Sequence, residues 1–327
     1  MKMNVKKIYP IVFLLICCLI PYFVTLNMPK NTSDGSQSET PEFEVKLYRT
    51  ASKKTESIPL RQYLCGVVAA EMQADSELEA LKAQAVAACS YMVYRYEYQK
   101  QTPDAEGAHP DAYVCDDFTH CKGYLSEKEA SKRWGRDWYE KNYPRIQAAV
   151  NQVYGQVITY DGKPVNAVFH AISSGTTESA ENVWGADIPY LQSVESAADT
   201  TAAGYESTPT FTLKETKKVL TELSLTPGDR PEEWFEAPQL DSAGSVESIK
   251  ICGKSFSGTQ IRQAFSLRST AFTVTYREEK FIFTVHGYGH QVGMSQYGAC
   301  SLAAEGKNYT EILKHYYSGV KIQSYTF

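Results

Sequence analysis

The chain has no excess of positive charge. Its 327 residues hold 33 lysines and arginines against 38 acidic residues, for a net charge of -5 and a pI of about 5.8. No generalised nucleic-acid surface is therefore expected, although a local basic groove stays open. No internal repeat occurs at solenoid period, which excludes a stacked-repeat architecture. Strands and helices do not alternate as they do in a doubly wound parallel sheet. The P-loop lysine pattern and the G-x-S-x-G nucleophile elbow are also absent. With them go the common phosphate-loop and serine-hydrolase readings.

Charge is missing altogether from Ile8 to Leu26 (IYPIVFLLICCLIPYFVTL), although Lys2, Lys6 and Lys7 precede that run. A helix of this length spans about 28 Å, close to the thickness of a bilayer core. Pro10 and Pro21 are tolerated better in a membrane helix than in a soluble one. The leading lysines predict that residues 1–7 are cytoplasmic and the body extracytoplasmic. The stretch TLNMPKN offers no small-x-small cleavage site, so an uncleaved anchor over 8–26 is expected rather than a removed signal peptide. Residues 27–42 are polar and read as a flexible linker. The folded body spans 43–327.

Within the body, FEVKLY alternates as a strand does. Residues 58–72 predict a helix whose apolar face carries Leu60, Leu64, Val67 and Val68. Glu71 continues that face. A carboxylate there either reaches water at the helix end or is partly desolvated, which raises its pKa. Ser76 and Glu79 form a capping-box pattern at the start of an alanine-rich helix running to about Gln99. A polar loop over 101–124 follows, then helices over 126–141 and 143–153 and a hairpin turning at Asp161-Gly162. Residues 195–250 read as an inserted subdomain with one helix near 213–223. The strands FTVTYR and KFIFTVHG flank Glu278-Glu279, and two C-terminal helices are separated at Gly306. The expected fold class is α+β: mixed helices and antiparallel strands around a substrate cleft.

Of the eight cysteines, Cys17 and Cys18 lie in the apolar run, and the other six are too scattered for a disulfide framework. Cys65 and Cys89 read as small buried hydrophobes. The segment HPDAYVCDDFTHC places His109, Cys115, His120 and Cys121 close together. Two thiolates and two imidazoles suit a closed, structural zinc site, but the spacing is not that of a common finger. A Cys115–Cys121 disulfide or free thiols remain the other readings. The glycine-rich turn HGYGHQVGMSQYGA brings His290, Gln296 and Tyr297 together. Imidazole, amide and hydroxyl groups of this kind suit a carbohydrate, or else His290 merely ties the turn together. In HAISSGTTES, Ser173 and Ser174 fit a substrate-binding loop better than a nucleophile.

Four motifs in order, IPLRQYLCGVVAAEM, LEALKAQAVAACSYMV, SSGTTES…VWG…PYL and HGYGHQVGMSQYGA, resemble the stage II sporulation protein D family. The resemblance covers most of 43–327. It implies a membrane-anchored lytic transglycosylase that cleaves peptidoglycan glycan strands, preferably stripped of stem peptides, during engulfment of the forespore. It further implies stage II sporulation proteins P and M as partners, and a septal or engulfing membrane as the location. By this resemblance Glu71 is the catalytic acid and base, Lys82 and Gln84 are cleft residues, and His109, Cys115, His120 and Cys121 bind zinc. No cofactor is then needed for the chemistry. One departure stands out: the family's usual arginine is replaced by Cys89. A glycan-binding scaffold without activity is the alternative, and a zinc-dependent amidase is disfavoured by four protein ligands.

Overall fold

The computed structural model describes residues 42–102, 109 and 111–327. The expected anchor over 8–26 lies outside them, and among the described residues no helix is long and apolar enough to cross a membrane. Residues 43–327 form one compact α+β unit. Its sheets are small and mainly antiparallel.

Strand β1 (Glu44–Arg49) pairs antiparallel with β2 (Lys54–Pro59). The chain then enters helix α1 (Leu60–Glu71), with Pro59 at the cap position. Strand β2 was not expected from the sequence: four of its six residues are exposed, so it carries no alternating apolar signal. Helix α2 (Leu78–Gln101) is the hub of the body, packing on α1 and on helix Gln296–Ala304. Ala80, Ala83, Ala85, Ala87 and Ala88 are all buried. A helix apolar around its whole circumference belongs inside a core, and alanine lets neighbours come close.

The start of α2 corrects the capping-box expectation. Glu77 occupies the cap position without a side-chain hydrogen bond. Glu79 instead accepts from the Tyr309 backbone N–H at 2.9 Å and pairs with Lys82 at 2.5 Å. A tertiary contact has captured the carboxylate that would have closed the box.

Strand β3 (Val114–Cys115) emerges from the polar loop and pairs parallel to β1. Helices α3 (Glu127–Trp134) and α4 (Arg136–Gln152) follow, divided at Gly135 rather than near residue 142. Gly135 has φ +86°, a backbone state that suits glycine, and α4 accommodates Pro144. The expected hairpin turns at Asp161-Gly162 (φ +48° and +77°), pairing Gln156–Tyr160 with Lys163–Pro164. The chain then leaves that sheet, and Phe169–His170 pairs parallel to Met294–Ser295.

A second hydrophobic cluster gathers Leu220, Trp234, Ile249, Phe265, Phe281 and Phe283. It takes in strands Ala271–Arg277 and Lys280–His286, which meet at Glu278-Glu279 as the sequence predicts. The terminal helices Gln296–Ala304 and Tyr309–Tyr316 are likewise where the sequence places them.

Gly66, in the middle of α1, is a packing constraint. A Cβ there would lie 2.3 Å from the Tyr124 ring and 2.7 Å from the Leu125 carbonyl oxygen. The Gly66 carbonyl also accepts from the Leu125 N–H at 3.1 Å. Gly66→Ala is expected to destabilise the body by about 1–3 kcal/mol through overpacking. Chemical denaturation checks this, and an unchanged midpoint would show that the contact is slack.

Candidate active site and metal centre

Glu71 is the last residue of α1. Its position follows from the helical spacing that puts Leu64, Val67 and Val68 in the core. The carboxylate is half-buried, and its Oε1 accepts the Gly123 N–H at 2.7 Å. The approach is close: a Cβ at position 123 would lie 3.0 Å from that oxygen and push the carboxylate aside by a few tenths of an ångström. The Gln296 side chain also bonds to Glu71, while Gln296 Nε2 donates to Gln84 Oε1 at 3.4 Å. Burial pushes the Glu71 pKa up, opposed by the Lys122 charge, the Gly123 N–H, Gln296 and Arg133. Desolvation outweighs the stabilising contacts, so the neutral acid is favoured relative to a free glutamate.

Lys122 is the cation beside this acid. It is buried, with Nζ 3.8 Å from the Phe169 ring centroid and 4.8 Å from that of Tyr91. Burial brings its pKa down to about 8, while the charges of Glu71 and Cys121 push it up. The electron-rich ring faces partly replace the lost water.

Cys121, immediately before Lys122, belongs to a four-residue cluster. One ligand atom each from His109, Cys115, His120 and Cys121 lies within 4.8 Å of every other. His109 Nε2 is 3.4 Å from Cys121 Sγ, and His120 Nδ1 is 3.4 Å from both Cys115 Sγ and Cys121 Sγ. Tetrahedral zinc bonds imply nitrogen-to-sulfur edges of roughly 3.5 Å, so the donor set fits that ion. His109 Nδ1 lies 3.0 Å from the Ala112 carbonyl oxygen. That contact makes Nδ1 the donor and leaves Nε2 bare toward the cluster, the usual outer-shell support of a metal-binding histidine. Both cysteines are free thiols.

The remaining predicted residues divide. Gln296 adjoins Glu71 and Gln84 adjoins Gln296, whereas Lys82 is taken up by Glu79. Ser173 is fully buried; its N–H donates to Asp199 Oδ2 at 2.7 Å, and its hydroxyl accepts from the Gly175 N–H. It braces the loop and has no surface to offer a ligand. The Ser174 N–H donates to Gln291 Oε1 at 2.7 Å. His290 accepts from the Val292 N–H at 3.1 Å and bonds to the Phe169 backbone. Burial drives its pKa well down, so it is a neutral ring tying the turn together, as the plainer sequence reading allowed. Tyr297 remains exposed, with its hydroxyl 3.4 Å from that of Thr201. Exposed Trp184 stands 5.4 Å from the His290 ring.

Sequence reasoning missed Lys122 and Gly123. Their signal was adjacency: whatever fixes Cys121 also fixes the next two residues. Cys89 is buried in α2, and burial pushes its thiol up to about 12. It stays neutral and supplies no charge in place of an arginine. Arg95 turns elsewhere, toward the Tyr113 carbonyl at 3.5 Å.

Glu71 also predicts a pH dependence. Its pKa is raised above the ordinary 4.5, so its favourable contribution is complete below that value and is lost as pH climbs through the folded pKa. Glu71→Gln is expected to melt higher than the parent protein at neutral pH, with an advantage that grows as pH rises above 4.5 and through the raised folded pKa. Thermal melts across that range check it, and a lower-melting variant at neutral pH would contradict it.

Known proteins resemble this arrangement in sequence. The family described as "SpoIID: Stage II sporulation protein" matches residues 48–160. Stage II sporulation protein D of Bacillus amyloliquefaciens is 37% identical over 278 residues, covering 85% of this chain and 78% of that protein. The protein of the same name from Bacillus subtilis (strain 168) is 36% identical over 306 residues, covering 90% and 83%. An "Amidase enhancer" of Bacillus subtilis is 28% identical over 320 residues, covering 80% of this chain and 40% of that protein. On the breadth of these matches, the chain belongs to the stage II sporulation protein D family.

Proposed function

We propose that this sporulation protein is a lytic transglycosylase acting on peptidoglycan glycan strands, with Glu71 as general acid and then general base. The observation that carries the reading is the Glu71 carboxyl: half-buried, raised in pKa, and held by the Gly123 N–H at 2.7 Å. Beside burial, the groups that act most strongly on its proton are Lys122, Gly123, Gln296 and Arg133. Ordinary hydrolysis of a glycoside uses two carboxyl groups, one to protonate the leaving oxygen and one to activate water or attack the sugar.

A single acid supports an intramolecular route. Glu71 gives its proton to the bridging oxygen as the C1–O bond breaks and positive charge builds on the ring. The resulting carboxylate then removes the proton from the same sugar's C6 hydroxyl, whose oxygen closes on C1. The product is a 1,6-anhydro end, and Glu71 regains its proton. Lys122 lies beside the carboxylate that forms and balances its charge. Gly123 and Gln296 hold the group in place through both steps.

Zinc, when bound by His109, Cys115, His120 and Cys121, would have all four positions filled and so supplies structure rather than an activated water. Its consequence for Glu71 is mechanical, because Lys122 and Gly123 follow Cys121 directly. The reading takes strands stripped of stem peptides as substrate, and stage II sporulation proteins P and M as partners at the engulfing membrane.

Mass spectrometry of peptide-free glycan strands after incubation tests the chemistry. Wild-type protein is expected to generate 1,6-anhydro ends, and Glu71→Ala to slow their formation by at least about a hundredfold, the usual contribution of a general acid. Binding without new ends by the wild-type protein would favour the glycan-binding scaffold instead. For the metal centre, elemental analysis is expected to find one zinc per chain, lost in Cys121→Ser together with activity. Full activity in a zinc-free variant would separate the loop from the catalytic group.

A further inference from the structure

A second polar cluster stands apart from these groups, between the body and the second hydrophobic cluster. Glu178 precedes the short helix Ala180–Trp184. Its backbone is fixed by an N–H donated to the Gln291 carbonyl at 2.7 Å and by a parallel bridge to Val292. Its side chain is fully buried. Asp241 and Ser245 come from the turn between strands Gln239–Leu240 and Val246–Ile251. Asp241 Oδ1 accepts from the Ala243 and Ser245 N–H groups at 2.9 and 3.0 Å. The turn is thereby rigid, and Oδ2 takes neither of these bonds.

These three residues and Asn182 line a cavity of about 30 Å³, and none of its lining residues is basic. Glu178 and Asp241 are within hydrogen-bond reach of each other. Asn182 Nδ2 donates to Glu178 Oε2 at a long 3.3 Å. Ser245 is near enough to lower the Glu178 pKa, yet Ser245 Oγ and Glu178 Oε1 each remain buried without a hydrogen-bond partner. A buried carboxylate beside a second acidic group, with a buried carboxylate oxygen and a buried hydroxyl both unpartnered, is costly unless something positive joins them. A single shared proton would relieve the charge of the pair but leave the extra space and the hydroxyl unexplained. The volume exceeds what one water needs.

We propose that this cavity is a divalent cation site, with Glu178 and Asp241 as carboxylate ligands and the Ser245 hydroxyl and Asn182 amide oxygen completing a hard-oxygen set. All the donors are oxygens, Asn182 on a short helix and the other three on irregular backbone, a mixed set that suits the variable coordination of Ca2+ better than the strict octahedron of Mg2+. The Asn182 amide would turn its oxygen inward on binding. Because Glu178 is held against the Gln291–Val292 segment and Asp241 belongs to the turn before strand Val246–Ile251, the ion fastens those two segments together. The site is independent of the glycan chemistry assigned to Glu71.

Equilibrium dialysis of the purified full-length protein against radioactive Ca2+, with Mg2+ as competitor and zinc content followed in parallel, tests this. One Ca2+ per chain is expected, with affinity weakened at least about tenfold in Glu178→Gln and Asp241→Asn and less in Ser245→Ala. Circular dichroism verifies that each variant is folded, and Ser245→Ala serves if the carboxylate variants are not. Absence of saturable binding up to about 5 mM, beyond the range of weak extracellular calcium modules, would overturn the proposal. So would equal affinity in wild type and folded variants, or a cavity that only exchanges a proton.

Discussion

The hydrogen bond from the Gly123 N–H to Glu71 Oε1, 2.7 Å long, is the constraint on which the site depends. It joins the end of a core helix to the exit of the cysteine–histidine loop. Nothing local in either segment would hold the two together. Helix α1 delivers the carboxyl because three turns of apolar residues are buried beneath it. The loop delivers Lys122 and Gly123 because Cys121 is fixed within its cluster. The acid is therefore positioned by two independent parts of the chain, each with its own reason to be rigid.

The rest of the molecule braces this junction. Helix α2 supplies Gln84 from inside the core, and helix Gln296–Ala304 supplies Gln296 from its first position. The latter helix is capped by Ser295, whose hydroxyl bonds to Asp199 Oδ1 at 3.0 Å, while Asp199 Oδ2 accepts the Ser173 N–H at 2.7 Å. Asp199 is fully buried, and it satisfies backbone and hydroxyl donors from two separated segments at once. Buried polar groups of this kind tolerate little rearrangement. Residues that seem from sequence to invite a ligand, Ser173 and His290, are instead consumed in holding the turn beside the site.

How far the sequence reveals this depends on the range of the interactions. Glu71 is legible because helical periodicity places it on a buried face, and the cysteine–histidine cluster is legible because its four residues fall within one short segment. The hairpin at Glu278-Glu279 and the paired C-terminal helices follow from local pattern alone. By contrast, β2 is hidden because an exposed edge strand has no apolar alternation. The capping-box pattern at Ser76 misleads because Glu79 is claimed by Lys82 and Tyr309, the latter 230 positions away in sequence. Lys122 is silent for a similar reason: a lone lysine in a polar loop looks solvated until its burial against Phe169 is seen. Cys89 reads correctly as core, and the structure adds that it is neutral, so the charges acting on the acid come from Lys122 and Arg133.

The central claim is that desolvation wins over the cation and the N–H at Glu71, so that the acid holds its proton longer than a free glutamate does. Carbon-detected NMR titration of the Glu71 side chain in the intact protein measures this directly. The account predicts a midpoint above the ordinary 4.5. A midpoint at or below the ordinary value in the intact protein would contradict it, because Lys122 and Gly123 would then outweigh burial and the site would lack its proton donor.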